Sequence, residues 1–248
     1  MRLATLSVFF SLCSGLSAQV AVVNGASFRP EQPLVSGSWA SAFGTFAGVT
    51  TTSASELPLP KTLGGVAVTV DGVDAPLNFV SSGQINFLIP YQAAPGVRSV
   101  RVRTSGATLD GVVRVIPAAP GVFVADNSVT PPRGAILNQD FSVNSAGSPA
   151  RPGQVIQIFG TGPGALDGSI ADGAAAPRSP LLRTRSTPQV FIGGVAADVQ
   201  FSGLAPDFVG LWQVNAFVPN QPFVNGRVAV QIFMDGVDSN EVTVAISR

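Results

Sequence analysis

A seven-residue string occurs twice in this chain, and it sets limits on everything around it. Gln84-Ile85-Asn86-Phe87-Leu88-Ile89-Pro90 returns as Gln213-Val214-Asn215-Ala216-Phe217-Val218-Pro219. Side chains alternate across a strand, so Ile85, Phe87 and Ile89 share one face, and Val214, Ala216 and Val218 share the matching face of the second string. The closing proline has no N–H to give to a ladder, so it ends the strand in each case. The strings read as one core strand in two related domains. Asn86 and Asn215, on the opposite face, are expected to bond neighbouring backbone.

Other landmarks repeat in the same order. Asn24 with Phe28 after it is matched by Asn138 with Phe141. Gly37, six residues before Phe43-Gly44-Thr45, is matched by Gly153, six before Phe159-Gly160-Thr161. A glycine-centred hairpin follows each string, at Ser105-Gly106 and at Asp235-Gly236. Between the landmarks lie short alternating runs. Val66 to Val70 ends at Asp71-Gly72, a type I′ hairpin signal, and Gln189 to Ile192 leads to Gly193-Gly194. Val97 to Val102 reads as alternating, with Arg98 and Arg101 off the valine face. The 27 glycines and 20 prolines fit many strands and turns, and no run beyond residue 18 sustains helical periodicity. The expected fold class is all-β: two tandem immunoglobulin-like β-sandwich domains after a signal peptide. The first spans 19–117, a proline-rich linker 118–133, and the second 134–248 with a surface-loop insertion at 162–187. Trp212 shares the face of Val214 and is expected in the core, where its indole nitrogen needs a partner.

Residues 1–18 read as a secretory signal: Arg2, an uncharged apolar run from Leu3 to Leu16, and small residues before Gln19. That places the mature chain outside the cytoplasm, with no transmembrane segment after the signal. Cys13, the only cysteine, falls inside it, so no disulfide is expected.

The run from Pro152 to Thr161 resembles the opening of an IPT/TIG domain, an immunoglobulin-like sandwich. The whole mature chain resembles the uncharacterised C-terminal domain of secreted acidobacterial proteins of the Solibacter type. The stretches that carry this include Val23 to Phe28, Pro58-Leu59-Pro60, Leu63 to Val66, Gln84-Ile85-Asn86, Ala135 to Asp140, Ala171-Asp172-Gly173 and Val209 to Asn215. The resemblance implies the fold and an exported location. It brings no catalytic or binding residues with it.

Chemistry is sparse. The chain has no histidine, and Cys13 is its only thiol, so Ser-His and Cys-His catalysis and the usual zinc ligands are missing. No glycine-rich loop precedes a helix, and no cofactor is expected. Zero net charge argues against a general nucleic-acid binder. Asp71 and Asp74, and Asp235 and Asp238, sit in two Asp-Gly-Val-Asp strings that read as turns. Asp167 and Asp172 read as part of a solvated loop. Residue types leave a two-carboxylate glycosidase open. Three residues stand out as ligand contacts. Arg101 and Arg103 share a strand face, with Arg114 on the paired strand, as an anion-binding stripe or a solvated face. Trp39, opposite Ala40 and Ala42, is placed either to stack on a sugar or to pack between the domains. The expected function is non-catalytic binding or adhesion to an extracellular glycan or protein. The alternative is a structural or sorting module of a larger secreted assembly.

Overall fold

A computed structural model describes residues 19–30, 32–220 and 225–247. The signal reading lies outside the described residues. Within them every regular element is a strand, and the chain folds as two tandem immunoglobulin-like sandwiches.

In the first half, one sheet runs Ala21–Asn24, Trp39–Phe43, Gln84–Leu88, Leu77–Val80, Thr52–Ser53. Facing it are Thr108–Val115, Gly96–Arg103, Val66–Val70 and Thr62–Leu63, with Val73–Asp74 also on Val66–Val70. In the second half, one sheet runs Gly121–Val122, Val155–Thr161, Trp212–Phe217, Val199–Leu204. The other is built on Val242–Ile246, Gly226–Met234, Gln189–Ile192 and Val195–Ala197. The two halves share pairings position by position. Trp39, Ser41 and Phe43 lie opposite Leu88, Asn86 and Gln84; Val155, Gln157 and Phe159 lie opposite Phe217, Asn215 and Gln213. Even the parallel bridges correspond, Leu34 with Val115 and Ala150 with Ile246.

Alternation explains the cores. Ile85, Phe87 and Ile89 are buried with Val68, Val100 and Val102 in the first sandwich. Val214, Ala216 and Val218 are buried with Ile156, Val190 and Ile232 in the second. Trp212 is fully buried, and its indole N–H donates to Ser202 Oγ at 3.0 Å. Asp71 and Asp235 hold φ of 47° and 48°, each followed by a left-handed glycine, as a type I′ turn requires.

Three expectations need correction. Val97 is 71% exposed, because it shares the parity of Ser99 and Arg101; the buried face starts at Val100. The stretch read as a linker, 118–133, is no free tether. Ala118, Ala119 and Val122 are buried, Gly121–Val122 pairs with Val155–Thr161, and Val124–Asp126 pairs with Arg133–Gly134. Asn86 and Asn215 bond side chains, not backbone. Gln84 Nε2 donates to Asn86 Oδ1 at 2.8 Å, and Gln213 Nε2 donates to Asn215 Oδ1 at 2.8 Å. The repeated string therefore makes the same amide–amide bond twice, on the face away from each core.

Candidate functional site

That outer face of the first sheet is where the second half docks. Trp39 holds the junction from both ends. Its backbone N–H donates to Thr161 Oγ1 at 2.8 Å, and its indole N–H donates to the carbonyl of Val209 at 2.9 Å. The insertion 162–187 carries no strand of its own, yet it is a strap rather than a free surface loop. The Gly173 carbonyl accepts from Leu59 N, and Asp172 Oδ1 accepts from Tyr91 N, both at 2.8 Å. Ala176 and Leu182 are buried in a small cluster with Leu204. A loop without regular structure needs backbone partners wherever it is covered, and the first half supplies them. Gln32 Nε2 adds a bond to the Pro120 carbonyl at 3.0 Å. Pro58-Leu59-Pro60, Ala171-Asp172-Gly173 and Val209-Gly210, singled out above from widely separated parts of the sequence, thus contribute to one seam.

Beside this seam lies a cleft of about 470 Å³, within the range of small-ligand sites. One wall is the sheet face of Trp39, Ser41, Asn78 and Asn86. The opposite wall is the loop Asp207-Phe208-Val209, with Leu211. Glu56, Leu57 and Phe123 complete the rim. Three aromatic rings thus share the cleft with two side-chain amides. Ser41 Oγ and Gln84 Nε2 both donate to Asn86 Oδ1, at 2.9 and 2.8 Å. The acceptor of Asn86 is used up inside the protein. Among the described residues its N–H₂ group has no protein acceptor, which leaves two fixed donors at the cleft wall.

Charge at the site comes from Glu56 and Asp207. Arg178 Nε reaches both Asp207 oxygens, at 2.9 and 2.8 Å. That hydrogen bond holds the Asp207 carboxyl below its usual value. A proton donor for glycoside hydrolysis needs the opposite shift, so Asp207 is tuned against that role.

Of the three residues marked in advance, Trp39 lines the cleft and also packs between the halves. Arg101 and Arg103 lie elsewhere, on the exposed face of the other sheet. Arg101 Nε bonds Asp110 at 2.7 Å, Arg103 lies 3.9 Å from Asp74, and Arg98 lies 3.1 Å from Asp71. The stripe alternates in sign, so it does not present the bare positive charge that an anion site needs. Arg114 sits opposite Val97 on the same face. Asp167 accepts from Arg183 N at 2.9 Å, so both insertion aspartates anchor backbone. Among the described residues no three His, Cys, Asp or Glu side chains gather as a metal site. Sequence reading missed Asn78, Phe123 and Phe208. The one available signal was Pro206-Asp207, a turn-forming pair followed directly by the aromatic Phe208.

No family model and no curated protein matches this chain. Solved structures give loose matches. A Bacteroides ovatus mixed-linkage glucan utilization protein, SGBP-B, in complex with a mixed-linkage heptasaccharide, is 12% identical with a TM-score of 0.34. The match covers 88% of this chain but only 43% of that one. Domains 5–6 of the S-layer protein SbsC match at 12% identity and a TM-score of 0.30, over 93% and 97% of the two chains. The Yersinia pseudotuberculosis adhesin InvE matches at 14% and 0.24, over 93% and 59%. At such scores the fold assignment rests on this chain's own ladders. Among the described residues no helix is long and apolar enough to cross a membrane.

Proposed function

We propose that this chain is a non-catalytic, extracytoplasmic binding module of the acidobacterial C-terminal type, and that the cleft between its halves holds a carbohydrate chain. The observation that carries this is the lining. Aromatic side chains of Trp39, Phe123 and Phe208 share the lining with the fixed donors of Asn86 and the carboxylates of Glu56 and Asp207. A sugar offers an apolar ring face and hydroxyls that both donate and accept, so it satisfies every group in that set. The exported location is supported by the sequence of residues 1–18. The seam preorganises the site, which lowers the ordering cost of binding.

The test is titration of residues 19–248 with a panel of oligosaccharides, followed by tryptophan fluorescence. Trp39 lines the cleft and Trp212 is buried, so a ligand acts on one of the two emitters. Phe208 is 57% exposed, so Phe208→Ser removes a cleft ring with little effect on folding. It should weaken binding about tenfold, from roughly 1.4 kcal/mol of lost ring contact. Silence across the panel, with the fold intact, counts against the proposal.

A structural role in a larger secreted assembly is the second reading, and one observation favours it. Phe217 occupies the position of Leu88, but Leu88 is covered by the other half while Phe217 is 37% exposed. Phe141 and Val143 of the same half are exposed as well. Comparison of the exported proteome with and without the gene separates the readings, since a simple binder leaves it unchanged.

A further inference from the structure

We infer that the cleft discriminates by charge: it accepts uncharged polyhydroxy chains and disfavours chains bearing carboxylate or sulfate, and Glu56 sets that preference. The inference rests on the carbohydrate reading above and goes further, to the class of glycan.

The charged side chains of the lining are both acidic, Glu56 and Asp207, and neither lysine nor arginine joins them. Asp207 is largely neutralised by Arg178, which bonds both of its oxygens. Glu56 differs. It is exposed at the rim, and among the described residues no cation lies within ion-pair distance of it. The cleft therefore carries about one net negative charge. Hydrogen bonding points the same way. The hydroxyls of a neutral chain can accept from Asn86 and donate to Glu56, whereas a ligand carboxylate serves only the Asn86 donors and meets Glu56 as a like charge. Arg101 and Arg103, the cationic residues that a uronate would seek, lie on another sheet and face Asp110 and Asp74.

The size of the effect follows from the rim's exposure. Two unit charges about 4 Å apart in water repel by about 1 kcal/mol, which is about fivefold in Kd. Removal of the charge should raise the ratio of acidic to neutral affinity about fivefold, and reversal about 25-fold. Salt should erase the difference, because the Debye length falls to about 3 Å at 1 M.

The experiment titrates wild type, Glu56→Gln and Glu56→Lys with length-matched neutral glucan and galacturonate oligosaccharides, at 10 mM and 1 M sodium chloride. The expected result is tighter binding of neutral chains by wild type at low salt. The ratio should then climb through Gln to Lys, and the preference should shrink at high salt. Wild type binding the galacturonate as tightly as glucan at low salt overturns the inference while leaving carbohydrate binding intact. So does a ratio that Glu56→Lys leaves unmoved. Failure of wild type to bind either oligosaccharide refutes the carbohydrate reading itself, and the charge rule falls with it.

Discussion

Replacement of Gly210 by alanine tests the seam with a single methyl group. Gly210 has φ of +58°, and a Cβ there would overlap Leu88 Cδ1 and lie 3.2 Å from the Gly37 carbonyl oxygen and 3.3 Å from Trp39 Nε1. Those three neighbours belong to the first half, and Gly210 belongs to the second. The methyl must push the loop off the sheet face and lengthen the bond from the Trp39 indole to Val209. Overpacking of this kind costs about 1–3 kcal/mol. A left-handed position costs any residue with a Cβ about 1 kcal/mol more. The sum is about 3 kcal/mol, or about 1 M in the urea midpoint at a slope near 2.5 kcal/mol per M. Gly194 is the control, since it has φ of +78° and nothing within 4 Å of its would-be Cβ. Gly194→Ala carries the backbone cost alone and should move the midpoint about 0.4 M. Urea unfolding read by tryptophan fluorescence measures both. Equal shifts for the two variants would refute the packed seam, and with it the preformed cleft.

Other expectations follow from the same contacts. Ser202→Ala strips the buried indole of Trp212 of its acceptor and should cost about 1–3 kcal/mol in urea unfolding, with ligand affinity unchanged. Tyr91 is the only tyrosine, so phenolate absorbance reports on it alone. Burial, and then the charge of Asp172, push its phenol above the ordinary value of 10.0. The folded state thus holds that proton more tightly than the unfolded state. Its contribution is fully present below pH 10 and is lost as pH rises above that value, so ionisation should begin late and coincide with alkaline unfolding. A phenolate signal with an ordinary midpoint in folded protein would contradict this. Among the described residues the buried Tyr91 hydroxyl has no partner, so Tyr91→Phe should be neutral or stabilising by about 1 kcal/mol in the same urea assay.

The parts of this protein that could be read in advance are those governed by neighbours in sequence. Strand alternation has a period of two, so Ile85, Phe87 and Ile89 declared their burial, and so did Trp212 and Val214. Asp71-Gly72 and Asp235-Gly236 declared their turns, because few residue pairs tolerate two left-handed positions in a row. The two sandwiches and their repeated pairings follow from such local rules. Val97 failed only where parity was not counted through.

The cleft obeyed no local rule. Positions 39, 56 and 86 of the first half meet 123 and 207 only because one half docks on the other. The segments that make the docking, 118–133 and 162–187, have no hydrophobic period, so composition read them as solvent-facing. Their burial depends on whether a distant backbone offers partners, as Leu59 does for Gly173 and Tyr91 for Asp172. A hydrogen bond between residues about a hundred positions apart leaves no mark on either stretch alone, so these contacts emerge only once both sandwiches have formed and met.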